Sequence, residues 1–454
     1  MRKIPVLLAI LCSVISAQSQ LKIPYTRHVL SNGLNVILHE DHSTPTVSVN
    51  TWYHVGSGYE KPGRTGFAHL FEHLMFMGSG NVPEGQFDKL LEAAGANNNG
   101  STTEDRTNYY EDLPSNALEL ALFLDSDRMG FLLDAMTPQS VDAQRAVVKN
   151  EKRQNYDNRP YGMAGETILK NLYPPGHPYN WMVIGSMEDL SAATYDDVVD
   201  FFKTYYAPNN ASIVIAGDID PKETLKLVEK WFGGIPRGKP VPPLNPVPAV
   251  LNEEKIFVLE DRVQLPRLYM TWLTPQKFAP GDAEMDVLAN ILSGGKNSRL
   301  YQKLVYELQI AQDVRASQST NKISSQFQII TTARAGHTLE ELKKVIQEEI
   351  NKIKNEAPKE RELQRVVNQF EASILRGLEK PGGFGGKANQ LNEYFYYAGN
   401  PDYINEDFSR YKALGVDDIQ SAAQTYLPDN GRVILSIVPT GKIELAVQPT
   451  AEVK

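Results

Sequence analysis

The chain has 454 residues, 41% hydrophobic and 22% charged, with 16 Phe and 21 Tyr. At roughly 150 residues per domain this is room for two or three folded domains, and it excludes a disordered chain or a disulfide mini-protein. Acidic residues outnumber basic ones by 55 to 46, for a net charge of −9, so no global attraction to nucleic acid or anionic lipid is expected.

Residues 1–19 combine Arg2 and Lys3 with an apolar run from Ile4 to Ile15 and the small residues Ala17 and Ser19. This is the pattern of a cleavable export signal, and the run falls short of the roughly 20 residues that span a bilayer. No later segment is apolar enough to span, so no membrane span is expected after signal removal. Cys12, the one cysteine, lies inside the signal. The rest of the chain therefore has no thiol for disulfides, nucleophilic catalysis or metal binding, a composition that suits an oxidising compartment. Alternating or apolar runs predict strands at 34–38, 46–55, 213–216, 256–259 and 327–332, and helical periodicity predicts helices over 140–154 and 339–355.

A proline-rich stretch from Pro236 to Pro248 can hold neither a helix interior nor a central strand. It divides the chain into an N-terminal domain at 20–235, a linker at 236–254 and a C-terminal domain at 255–454. The two halves end alike: Tyr206-Ala-Pro-Asn-Asn210 before SIVIAG, and Tyr426-Leu-Pro-Asp-Asn430 before RVILSI, both at an offset of 220 residues. Helix, turn and buried strand recur in the same order, as in a duplicated α+β unit.

Within GFAHLFEHLMFMGS, His69, Glu72 and His73 form H-x-x-E-H. On a helix, residues four apart share a face, so both imidazoles reach one metal ion and Glu72 can hold a water beside it. A hydrolytic zinc site needs a third protein ligand. Glu104, Asp105, Asp112, Glu119 and Glu151 are all possible by position; Glu151 lies on a helical stretch where Gln144, Val147, Val148 and Glu151 share a face. The Gly-rich run Pro381–Gly386 lacks the spacing of a phosphate loop, and G-x-S-x-G does not occur.

Through GFAHLFEHLMFMGS, the Val147-Val-Lys-Asn-Glu-Lys-Arg153 segment and the duplicated halves, the chain resembles the pitrilysin, insulinase and mitochondrial processing peptidase family. That resemblance implies two homologous α+β domains, each a mixed or antiparallel sheet packed with helices. It also implies one zinc ion per chain, held by His69, His73 and Glu151, with 77 residues between the last two. Glu72 would be the general base, and Gln144 would stand beside the ligands where relatives often carry an acid. The segment Asn99-Gly100-Ser101-Thr102 resembles the strand edge on which the family pairs its substrates, which implies substrate contacts at Asn99, Gly100 and Ser101.

Relatives carry an Arg and a Tyr, seven residues apart, that hold the substrate carbonyl; here Val305 and Gln312 occupy those places. Arg299, Tyr301 or Tyr306 could substitute, or a partner could supply the pair. The expectation is thus an exported, periplasmic or secreted zinc endopeptidase cutting unstructured peptides inside a dimer, with a related subunit as a candidate partner. A non-catalytic scaffold subunit of the same fold is the alternative.

Overall fold

The computed structural model describes residues 21–244 and 248–448. The signal assigned to residues 1–19 lies outside the described residues, as do 245–247 of the proline-rich stretch. The first half runs β1 (Thr26–Val29), β2 (Asn35–Glu40), β3 (Thr46–Tyr53), α1 (Phe67–Leu74), α2 (Phe87–Ala93), β4 (Asn97–Thr102), β5 (Thr107–Pro114), α3 (Leu118–Ala135), α4 (Pro138–Lys152), α5 (Ala164–Leu172), α6 (Met187–Ala192), α7 (Tyr195–Tyr205), β6 (Ala211–Gly217) and α8 (Pro221–Phe232). The second runs β7 (Glu254–Asp261), β8 (Arg267–Thr274), α9 (Asp282–Ser293), β9 (Ala311–Ser319), β10 (Ser325–Ala333), α10 (Leu339–Asn355), α11 (Glu360–Gly377), α12 (Lys387–Ala398), α13 (Ile404–Lys412), α14 (Val416–Tyr426) and β11 (Arg432–Pro439).

The first sheet has strand order β1-β2-β6-β3-β5-β4 and the second β7-β11-β8-β10-β9. Without β1 the two orders are the same, and each holds one parallel pair, β2 with β6 and β7 with β11, among antiparallel neighbours. The repeat seen at Tyr206 and Tyr426 therefore closes α7 into β6 and α14 into β11, an interior strand at the same place in each sheet.

One face of each sheet packs on its own helices. The opposite face is covered by a helix from the other half: α12 lies on β3 and β6, and α5 lies on β8 and β11. Ile37, Val214 and Ala216 meet Ala388, Leu391 and Ile404 in one contact, and Ile168 and Leu172 meet Val433, Leu435 and Ile437 in the other. Each of the Ile, Leu and Val side chains contributes about 1.5–3 kcal/mol on burial, enough in sum to dock the halves firmly. The Gly-rich run that leads into α12 is pressed against β5, where a Cβ on Gly382 would stand 1.8 Å from an Asp112 carboxylate oxygen. Glycine there is a requirement of close approach, not a mark of a phosphate site.

Candidate metal centre

Helix α1 buries Phe67, Ala68, Leu70, Phe71 and Leu74, turns His69 and Glu72 to a cavity of about 490 Å³ and leaves His73 partly exposed. Phe71 fixes the buried face by packing on Phe201, Phe202 and Tyr206. The helix begins at Gly66, which has a φ of +90° and offers no side-chain cap. Glu60, six residues upstream and buried, fills that role: its carboxylate accepts from the N–H groups of Gly66 at 2.9 Å and Ala68 at 2.8 Å. Burial nevertheless pushes the Glu60 carboxyl up to about 8.

Glu151 arrives on α4, whose start is capped by Thr137 and Ser140. Its Oε2 lies 3.3 Å from His73 Nε2 and 3.7 Å from His69 Nε2. Bonds of about 2.0–2.1 Å in a tetrahedral zinc site place neighbouring donor atoms about 3.3 Å apart, whereas a direct charge-assisted hydrogen bond closes to about 2.7–2.9 Å. The three donors thus have the spacing of ligands around an ion, and they form the one such cluster among the described residues. Burial, aided by His73, pushes the His69 imidazole down to about 4, which keeps its nitrogen lone pair free for a metal. His73 holds the Glu151 carboxyl below its usual range, so the third donor is an anion.

Glu72 accepts a hydrogen bond from Thr102 Oγ1 at 2.6 Å, and burial raises its pKa against that bond. The strand beneath it is β4, the free edge of the first sheet. A Cβ on Gly100 would sit 3.2 Å from Glu72 Cγ and 3.2 Å from the Phe76 ring, so any larger residue needs α1 and the edge to part by a few tenths of an ångström. Thr103 donates to the Arg106 carbonyl at 2.9 Å. Antiparallel alternation from that pair turns the backbone of Asn99 and Ser101 toward β5 and that of Asn98, Gly100 and Thr102 outward. Of the three residues expected to pair with substrate, then, Gly100 presents its backbone to the edge and Asn99 and Ser101 do not. The Asn99 side chain instead accepts from the outward Gly100 N–H at 2.8 Å.

The other possible third ligands are elsewhere: Asp105 is buried between the halves, Asp112 lies under the Gly-rich run, and Glu119 pairs with Lys230 at the surface. Glu104 lines the cavity without joining the cluster. Gln144 directs its amide to the Met77 sulfur, not to a ligand. Val147, expected on the same face as Val148, is exposed, while Val148 and Lys152 are buried; Val141 and Val148 join the core that also holds the buried face of α1. Sequence reasoning placed Thr102 at the end of the substrate segment but missed its bond to Glu72, although a period of two from Gly100 puts the two on the same face. It also missed Gln326 and Gln328 of β10, which line the far wall of the cavity and carry no local signal. Arg299 is held by Glu362 through two bonds of 2.8 Å, Val305 and Tyr301 pack on the second core, and Gln312 and Tyr306 are exposed.

Two family models match the sequence, one described as Insulinase (Peptidase family M16) over residues 35–175 and one as Peptidase M16 inactive domain over residues 192–370. The chain belongs to the peptidase M16 family. All four residues of the site fall in the first match and none in the second. Zinc protease PqqE of Helicobacter pylori is 28% identical to this M16 chain over 438 residues, which is 96% of the chain and 97% of the relative. A probable mitochondrial-processing peptidase subunit beta of Arabidopsis thaliana is 23% identical over 435 residues, 92% of this chain and 79% of that one. A solved structure of a protease from Helicobacter pylori superposes with a TM-score of 0.86 at 26% identity, covering 92% of this chain and 99% of the other. The two-domain α+β fold expected from the resemblance is the fold observed.

Proposed function

We propose that this M16 chain is the metal-bearing subunit of a zinc endopeptidase that cuts unstructured peptides laid along β4. The observation that carries the reading is the convergence of His69, His73 and Glu151 at ligand spacing beside Glu72 and an open strand edge. A zinc ion held by those three residues supplies a Lewis acid for the scissile carbonyl and lowers the pKa of water. Outward backbone groups of Asn98, Gly100 and Thr102 pair with the extended substrate, so binding depends little on its side chains. Thr102 fixes one carboxylate oxygen of Glu72, leaving the other to take the proton from the attacking water. Glu72 then delivers that proton to the amine nitrogen as the C–N bond breaks.

Val305 has no donor and Gln312 offers only a neutral amide, so neither stabilises an oxyanion as a guanidinium or phenol would, and Arg299 is occupied by Glu362. The second part of the proposal is therefore a dimer in which a related subunit supplies the missing cationic and phenolic donors. Reading residues 1–19 as an export signal, we infer a subunit that works outside the cytoplasm; no helix among the described residues is long and apolar enough to cross a membrane.

The test compares the mature chain with Glu72→Gln for zinc content and for cleavage of a quenched unstructured peptide, each alone and with a co-expressed relative. One zinc in both proteins, with cleavage by the wild type only, is the expected result, and the loss should be about 10²–10⁴-fold. Wild-type protein without zinc supports the scaffold alternative. Full activity of the lone chain removes the need for a different partner.

A further inference from the structure

Asp105 plays no part in the chemistry above, yet it is fully buried at the tip of the β4–β5 hairpin. Its carboxylate accepts from Tyr179 Oη, from Tyr397 Oη at 3.2 Å and from the backbone N–H of Lys322 at 2.8 Å. Its main-chain carbonyl accepts from Tyr396 Oη at 2.8 Å. Tyr396 and Tyr397 stand at the end of α12, and Lys322 stands in the turn between β9 and β10. Three of the four donors therefore come from the second half, and the two hairpin tips that correspond in the duplicated fold meet at this carboxylate.

A buried carboxylate is costly unless its lone pairs are met, so this contact exists only when the halves are docked. The hairpin does not need it to close. Within the first half, Thr103 already donates to Arg106, Ser57 to the Thr103 carbonyl at 3.1 Å and Gly58 to the Glu104 carbonyl at 2.8 Å. The next residue, Arg106, lies over the Trp52 ring at 5.0 Å and grips β4 by donating to the Ser101 carbonyl at 2.8 Å and to Ser101 Oγ at 2.7 Å. One place along from Ser101 on either side are Gly100, beneath Glu72, and Thr102, bonded to it.

We propose that Asp105 is a positioning residue through which the second half holds the substrate edge β4 in place against Glu72 and the metal ligands. The second half thereby acts on the substrate edge through Asp105, by way of Tyr396, Tyr397 and the Lys322 N–H. This inference rests on the peptidase reading for its substrate, but not for its mechanical claim.

The experiment uses the full mature chain carrying Glu72→Gln, which binds without turnover, and adds Asp105→Asn or Tyr397→Phe. Three quantities are read: zinc content, affinity for a fluorescent unstructured peptide, and amide exchange of β4 and α1. Asp105→Asn should raise the peptide Kd about tenfold and Tyr397→Phe about threefold, as expected for a charged and a weaker hydrogen bond. Exchange should quicken over residues 98–103, with α1 protection and zinc unchanged. In the otherwise wild-type chain, KM should rise while kcat stays within about twofold. An unchanged Kd and unchanged β4 exchange overturn the proposal, and so does equal loosening of α1 with loss of zinc, which makes Asp105 a general structural residue. If Asp105→Asn does not fold, Tyr397→Phe, which removes one hydroxyl and no packing volume, decides the matter. If the Glu72→Gln parent binds zinc but no peptide, the peptidase reading fails, and β4 exchange still decides whether Asp105 holds the strand.

Discussion

Helices α1 and α9 hold equivalent places in the two halves. Each starts from a glycine of positive φ, Gly66 at +90° and Gly281 at +97°, and each packs on a later helix, α4 or α11. Counting from those glycines, His69, Glu72 and His73 stand where α9 carries Glu284, Val287 and Leu288. Val287 and Leu288 are fully buried, and Glu284 folds back to accept from the Gly281 N–H at 3.0 Å. On the facing helices, α4 brings Glu151 to the cluster, whereas α11 brings buried Leu363, Val366 and Val367. One scaffold thus supports either a polar cluster at the rim of a cavity or a closed apolar core. The choice lies in a few side chains, because the glycine start and the helix pair fix the geometry in both halves.

The strongest way to break this comparison is to give the first half the second half's residue. His73→Leu should remove the metal almost entirely and reduce peptide cleavage by at least about a thousandfold, since two donors do not make a zinc site. Metal analysis of the purified variant checks it, and retention of one zinc would mean that the cluster in α1 is not the site. In the reverse direction, Leu288→Ala should cost about 2–5 kcal/mol of stability and leave zinc content alone. The midpoint of urea unfolding reads that loss, and a shift of zinc content with it would mean the halves are not separable in function.

A smaller effect sharpens the account of the edge strand. In Gly100→Ala the new methyl would meet Glu72 Cγ and the Phe76 ring at 3.2 Å each, so α1 and β4 must part by a few tenths of an ångström. Cleavage should fall about tenfold, of the order a misplaced catalytic group costs, with zinc retained. Steady-state kinetics that match the wild type would show that Glu72 tolerates the shift.

A final prediction, read only in acid, concerns the docked halves. His54 at the end of β3 bonds Ser212 Oγ at 3.0 Å and packs on Phe395 and Tyr396 of α12, and burial pushes its pKa down to about 3. A depressed histidine favours the folded state fully above its unfolded value near 6.5, and that contribution drains away as pH falls from about 6.5 toward 3. The slope is at most about 1.4 kcal/mol per pH unit. In His54→Gln the acid limb of the stability profile should be flatter by up to one proton, which thermal melts from pH 7 to pH 4 resolve. Identical limbs would place the acid sensitivity elsewhere.

The metal ligands differ in how far they could be read from sequence. His69, Glu72 and His73 lie within one helical turn, where the rotation per residue decides which side chains share a face. Glu151 needed a second helix docked on the first, and sequence reasoning reached it by resemblance. Its neighbours were read less well: Val147 faces out because α4 turns Val141 and Val148 into the first core, a choice that periodicity alone leaves open. The repeat at Tyr206 and Tyr426 was visible because turn and strand are local, and it correctly announced the duplicated sheets.

By itself the sequence determined the elements whose physics is short-range: the H-x-x-E-H face, the strand and helix patterns, the proline-rich break and the doubled unit. Tertiary structure alone decided what depends on contacts between distant segments. The phase of the β4–β5 ladder selects Gly100 over Asn99 and Ser101 for the open edge, and the docking of the halves brings Gln326 and Gln328 to the cavity wall. That same docking buries Asp105 among donors as far as 292 residues away. Pairing phase and long-range burial are properties of the assembled chain, because each is set by which surfaces meet and not by which residues are adjacent.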